Sequence, residues 1–271
     1  MSIPFSKMSG NGNDFIIIDN RCGEVDKIIS EDFIQKVCAR GLSIGADGLI
    51  LIENSDKANF KWQFYNSDGT VAEMCGNGAR CAARYAYIKN IAPKVMTFET
   101  IAGIIEGYIQ DNNEVKVLLT QYHSYKDNFS EIVYEENSYK PYFINTGVPH
   151  VVVFCDDVSK VDVAKVGKFL RHNKIFGEKG ANVNFATVTS KDSLTVRTFE
   201  RGVEGETLAC GTGCTAAALI STKLEYTVSP VKVLTAGGKI LTVYSEKDKT
   251  YLQGEGRLVY DGNINTEAYT Y

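Results

Sequence analysis

The feature that most constrains this chain is that its second half repeats its first. Adding 135 to a position in the first half lands repeatedly on a matching residue in the second. Gly12 meets Gly147, Gly45-Ala46 meets Gly180-Ala181, and Phe64 meets Phe199. Cys75-Gly76 meets Cys210-Gly211, Gly78 meets Gly213, and Ala82-Ala83 meets Ala217-Ala218. Thr100, Gly103 and Ile105 meet Thr235, Gly238 and Ile240. A single register held over most of each half predicts two copies of one module.

The hydrophobic pattern says what the module contains. Phe15-Ile16-Ile17-Ile18 and its counterpart Val151-Val152-Val153-Phe154 read as buried strands. Val115-Lys116-Val117-Leu118 and the region of Tyr251-Leu252 read as strands too. Each Cys-Gly-x-Gly opens an alanine-rich segment, Ala79–Ala86 and Cys214–Ile220. Alanine favours helix, and a helix with such small side chains can lie close against a sheet. The expected fold is mixed α/β. Two modules related by a pseudo-twofold axis each wrap a curved sheet around a central helix, with the active site in the cleft between them. The expected modules are 1–120, completed by 257–271, and 121–256, with the join in the polar stretch 121–139.

Composition excludes several classes. The 271 residues carry a net charge of −4 with scattered Lys and Arg, which argues against a nucleic-acid partner. No apolar run approaches membrane-spanning length. The start, Met1 to Met8, lacks a basic segment followed by an apolar one, so a cytoplasmic location is expected. Seven cysteines form no Cys-x-x-Cys pair and lie far in sequence from the three histidines. Neither a disulfide framework nor a structural zinc site is expected.

Cys75 and Cys210 stand apart from the other five. Each sits just before Gly-x-Gly and a predicted helix. Unpaired N–H groups at a helix start favour an anion. That anion can be the thiolate, whose ordinary pKa of about 8.5 falls in such places. It can equally be a substrate carboxylate held by the backbone of Gly76-Asn77 and Gly211-Thr212. Two equivalent thiols facing one carbon suit inversion of configuration: one removes a proton, the other returns one, and the helix ends stabilise the developing charge. A single cysteine here would read as a small buried residue beside a turn; two at matched positions favour the chemistry. Cys81 and Cys214, on the predicted helices, read as core packing.

These residues also carry a resemblance. Met74-Cys75-Gly76-Asn77-Gly78-Ala79-Arg80-Cys81 and the segment Glu200-Arg201-Gly202 through Cys210-Gly211-Thr212-Gly213 resemble the two signatures of the diaminopimelate epimerases. Gly12-Asn13-Asp14-Phe15, Tyr65-Asn66-Ser67-Asp68-Gly69, Pro149-His150 and Gly180-Ala181-Asn182-Val183-Asn184-Phe185 fit in order. The resemblance implies interconversion of LL- and meso-diaminopimelate, a step toward lysine and peptidoglycan precursors. It implies no pyridoxal phosphate, no other cofactor and no metal, and a homodimer. It implies Cys75 and Cys210 as the catalytic pair. Asn13, Asn66, Asn182, Glu200 and Arg201 become substrate contacts, with Gly76, Asn77, Gly211 and Thr212 as donors at the helix starts. Arg201 would grip the distal carboxylate, and His150 and Glu200 would adjust the cysteines' ionisation.

Taken singly, each of these has a structural explanation: the asparagines shape turns, Glu200 and Arg201 form a surface ion pair, and His150 is a satisfied buried histidine. Two positions depart from the family pattern, Gly48 where many members carry glutamine and Val148 where many carry asparagine. Three rival readings remain: another cofactor-independent amino acid racemase, a binding protein on the same fold, and a redox protein using Cys75 and Cys210.

Overall fold

The computed structural model describes residues 2–72 and 74–271. Contacts divide the chain into two compact units, Met1–Leu118 with Gln253–Tyr271, and Leu119–Leu252. Among the described residues, no helix is long and apolar enough to cross a membrane.

In the first unit the strands follow one hydrogen-bonded path. Arg257–Asn265 pairs antiparallel with Ser2–Gly10, which pairs antiparallel with Asn13–Asp19. Asn13–Asp19 runs parallel to Gly48–Glu53, and that strand antiparallel to Phe60–Asn66. Phe60–Asn66 runs parallel to Val95–Thr100, followed antiparallel by Gly103–Ile109 and Glu114–Leu118. Helix α1 (Glu31–Cys38) begins where the Ser30 side chain accepts the Phe33 N–H. Its buried Phe33, Ile34 and Val37 pack on Ile16, Ile18, Leu49 and Leu51, on one face of the sheet.

Helix α2 (Gly76–Ile88) takes the other face and touches strands from both ends of the path, Ser2–Gly10 and Glu114–Leu118 among them. The sheet therefore curves round it. The sequence permits this because Ala79, Cys81, Ala82, Ala83 and Ala86 are all fully buried and small. With helices on both faces, Phe15 to Ile18 have no solvent side, which explains four consecutive apolar residues in one strand.

The second unit repeats the plan. Pro141–Asn145 pairs antiparallel with Pro149–Phe154, which runs parallel to Asn182–Ser190. Ser193–Glu200 follows antiparallel, Val231–Thr235 lies parallel beside it, and Ile240–Glu246 closes antiparallel. Helix α3 (Val163–Arg171) covers one face with Val163, Val166 and Leu170. Helix α4 (Gly211–Lys223) lies on the other, with Ala216, Ala217 and Ala218 buried.

The strand pairings correct the single fixed register. Phe15 faces Gly48, and Ile50 faces Phe64. Their counterparts are His150 facing Asn182 and Asn184 facing Thr198. Gly48 therefore corresponds to Asn182 and Phe64 to Thr198, one residue short of the constant offset. Burial agrees. Phe60, Trp62 and Phe64 alternate inward on one strand, and Leu194, Val196 and Thr198 do so on the other. Phe199 turns to the opposite face and joins the core under α3, so its identity with Phe64 is a coincidence. Ile105 likewise corresponds to the buried Leu241, because each faces the same position of its neighbour, Phe98 or Val233. Ile240 is exposed. The repeat is one of architecture, and one-residue adjustments in the turns are absorbed without moving the helices.

Candidate active site

Each cysteine of the pair is the N-cap of its helix. Cys75 caps α2 with extended backbone, and its Sγ accepts the Gly78 N–H at 3.4 Å. The first intrahelical bond is Ala79 N–H to Cys75 O at 2.8 Å. The N–H groups of Gly76 and Asn77 are left without an intrahelical partner. Cys210 caps α4 in the same extended conformation, and Cys214 N–H bonds its carbonyl at 2.9 Å. Its Sγ contacts the Thr212 hydroxyl at 3.5 Å, and Gly211 and Thr212 N–H occupy the positions of Gly76 and Asn77. A helix start with unpaired N–H groups offers partial positive charge to an anion.

The remaining cysteines lack this setting. Burial pushes the Cys38 thiol up to about 12 and raises those of Cys81 and Cys155 as well, which holds all three as neutral thiols. Cys214 is buried inside α4.

Around the start of α2 the polar side chains form one network. Asn77 Nδ2 donates to Asn13 Oδ1 at 2.5 Å, and Asn13 Nδ2 donates to Asp47 Oδ2 at 2.9 Å. Arg40 grips both Asp47 and Asp14. The fully buried Arg80 donates to Asn77 Oδ1 at 2.6 Å, Asn11 Oδ1 at 2.9 Å and Gly76 O at 3.2 Å. Asn66 lies at the exposed end of its strand, where its amide donates to the Thr70 hydroxyl at 3.0 Å. The neighbouring Ser67 N–H bonds Asp47 O, so this turn joins the Asp47 segment. Gly48 is dictated by space. A Cβ there would stand 2.5 Å from Tyr65 O and 2.7 Å from the Phe64 ring, so no side chain fits.

Around the start of α4, His150 is completely buried. Its Nε2 lies 3.0 Å from Thr212 Oγ1, and its Nδ1 lies 3.1 Å from Asn184 Nδ2. Burial, with a smaller push from Arg201, lowers its pKa to about 3, so the imidazole is neutral. Asn182 ties strands together: its Oδ1 accepts Arg201 N–H at 2.8 Å and its Nδ2 donates to Pro149 O at 3.2 Å. Among the described residues the Arg201 side chain makes one long contact, Nη1 to Gly180 O at 3.5 Å. Burial raises the Glu200 carboxyl above the ordinary carboxylate range, opposed in part by the Thr207 hydroxyl.

The structure thus gathers Asn13, Gly76 and Asn77 at one helix start, and His150, Asn182, Arg201, Gly211 and Thr212 at or near the other. Sequence reasoning passed over Asp47, Arg80, Asn184 and Thr198. Asn184 was within reach. In Asn182-Val183-Asn184-Phe185 the apolar residues alternate with asparagines, a polar stripe in a strand buried on both faces.

Two modules of this kind are a known architecture. The chain superposes on a phenazine biosynthesis protein of the PhzF family from Bacillus anthracis with a TM-score of 0.71, at 15% identity, over 98% of this chain and 99% of that one. A hydroxyproline epimerase from Agrobacterium vitis gives a TM-score of 0.68 at 14% identity, over 98% and 93%. Closer in sequence are the diaminopimelate epimerases of Hydrogenobaculum sp. (strain Y04AAS1), 48% identical over 97% of this chain and 99% of the relative, and of Aquifex aeolicus, 46% identical over 98% and 99%. The protein is an isomerase, of the epimerase class. More narrowly, residues 5–124 and 142–259 match the model of the diaminopimelate epimerases, and the chain belongs to that family.

Proposed function

We propose that the chain interconverts LL- and meso-2,6-diaminopimelate by two-base proton transfer at one α-carbon, with Cys75 and Cys210 as the acid–base pair. The observation that carries this reading is that two thiols, alone among the seven, cap equivalent helices whose first N–H groups lack intrahelical partners. One thiolate takes the α-proton. The electron pair moves into the α-carboxylate, which the N–H groups of Gly76, Asn77, Gly211 and Thr212 stabilise. The opposite thiol gives a proton to the other face. One proton leaves and one arrives, so no redox partner is needed.

Arg201, whose guanidinium is little used by the protein itself, binds the distal carboxylate through its fork of donors. Asn13, Asn66 and Asn182 orient the ammonium and carboxylate groups with the amide capacity their protein partners leave. Glu200 contacts the substrate and, with His150, sets the ionisation of the thiols. The family resemblance supports a homodimer working in the cytoplasm without pyridoxal phosphate or metal.

The test is solvent exchange. Reduced protein incubated with LL-diaminopimelate in deuterium oxide should incorporate deuterium at Cα while meso product forms. Glutamate, proline and histidine should not exchange. Exchange with one of those in preference, or with none of the four, would overturn the assignment.

A further inference from the structure

The repeat places two sets of buried side chains in equivalent positions beneath the two helix starts, and the sets differ in chemistry. Under α2 stand Phe15, Ile50 and Phe64, all apolar, with Phe15 and Phe64 in edge contact at 5.8 Å between ring centres. Under α4 the same three positions hold His150, Asn184 and Thr198, all buried. A buried polar set costs desolvation that an apolar set does not. The first unit shows that the fold is satisfied by apolar residues there. The polar set therefore answers to something particular to the Cys210 end.

Its hydrogen bonds run in one direction. Thr198 Oγ1 donates to Asn184 Oδ1 at 2.9 Å and braces the amide, whose rotation is set by the carbonyl of Val151, which can only accept. Asn184 Nδ2 then donates to Val151 O at 2.9 Å and faces His150 Nδ1 at 3.1 Å. An NH₂ group can only donate, so Nδ1 is the unprotonated nitrogen and Nε2 carries the hydrogen. That hydrogen points to Thr212 Oγ1 at 3.0 Å. The hydroxyl accepts it and is left with its own hydrogen to give, and Cys210 Sγ lies 3.5 Å away. At the matching place on α2, Asn77 directs its amide to Asn13 and Arg80, and Cys75 receives the Gly78 N–H instead.

We infer that Asn184 and Thr198 are positioning residues: by fixing the tautomer of His150 they make the Thr212 hydroxyl a donor to Cys210, and so favour the thiolate at Cys210. This deepens the proposed function and rests on it for the role of the thiols. On the strands packed against α4, His150 bonds Thr212 at the helix start, and Arg201, just past the end of Ser193–Glu200, pushes on its imidazole. Arg197 turns away to Glu206, Lys232 pairs with Asp192, and Glu200 and Arg201 stand at a strand end. The substitutions below change none of these.

The test is the pH dependence of iodoacetamide alkylation, read separately at Cys75 and Cys210 by peptide mass spectrometry on the intact, folded protein. Asn184→Leu and Thr198→Val should each raise the Cys210 midpoint by about one pH unit, the scale of one hydrogen bond to a charged sulfur. The Cys75 midpoint should stay put. The double variant should shift no further than Asn184→Leu alone, since the two residues act in series. An unchanged Cys210 midpoint, or equal shifts at both cysteines, would overturn the inference. If Asn184→Leu does not fold, Thr198→Val, which keeps the side-chain volume, decides alone. The measurement needs no turnover, so it can fail while the epimerase assignment stands, and the reverse.

Discussion

Gly213 and Asn184 approach so closely that a Cβ added to Gly213 would stand 2.2 Å from the Asn184 carboxamide oxygen. The equivalent Gly78 is looser, because there the nearest atoms, Ile50 Cδ1 and the Trp62 ring, would lie at 3.4 Å. The same glycine of the repeat thus answers to different neighbours. One leaves room for a polar amide wedged under the helix, the other makes ordinary contact with apolar side chains.

Gly213→Ala should therefore cost stability and Gly78→Ala should not. Overpacking a rigid, hydrogen-bonded amide costs about 1–3 kcal/mol. Alanine at Gly78 should be neutral or gain up to about 1 kcal/mol from helix propensity. Urea unfolding of the two variants checks this, and equal losses would contradict the contrast.

Stability should fall in mild acid through His150. Its folded pKa is depressed to about 3 by burial, against an ordinary value near 6.5. Between those values the unfolded chain binds a proton that the folded protein refuses, so acid favours unfolding. The stability due to neutral His150 is complete above about pH 6.5 and declines as pH falls toward 3. From pH 7.5 to 5 the loss should be about 2 kcal/mol, at about 1.4 kcal/mol per unit once well below 6.5. His150→Gln cannot titrate, so its unfolding free energy should lose about that much less over the same range. Parallel pH profiles for the two proteins would refute the assignment of a buried neutral imidazole.

Removing either thiol should abolish inversion. Cys75→Ala and Cys210→Ala each take away the proton carrier on one face, and loss of a positioned acid or base costs about 10²–10⁴-fold in rate. Each variant should drop epimerisation by at least about 10³-fold while remaining folded by circular dichroism. Cys81→Ala, on the buried side of α2, should change stability more than rate. Retained inversion in either single variant would remove the two-base mechanism.

Arg201→Ala should act on substrate binding. Among the described residues its guanidinium makes only the 3.5 Å contact to Gly180 O, while its backbone N–H carries the tie to Asn182. Deleting the side chain should leave the fold intact and raise KM for diaminopimelate by about 10-fold or more, as loss of a charge-assisted pair implies. An unchanged KM would take Arg201 out of the site.

Much of this protein was legible in the chain itself. The duplication, the mixed α/β class, the two alanine-rich core helices and the two capping cysteines follow from local signals: matched glycines, four-residue apolar runs, and small side chains at helical spacing. These depend on a few neighbouring residues, and a repeated module writes each of them twice. What the sequence could not give was strand register. Phe64 and Phe199 match as letters, yet they face opposite sides of their sheets. A shift of one residue between strands exchanges the two faces of a sheet, and only the packed pairing of both strands decides it. That pairing puts Asn184 and Thr198 under His150 and Thr212, and Thr198 carries no signature in the sequence. Which polar atoms share a buried space is a property of contacts between distant segments, and no local pattern encodes it.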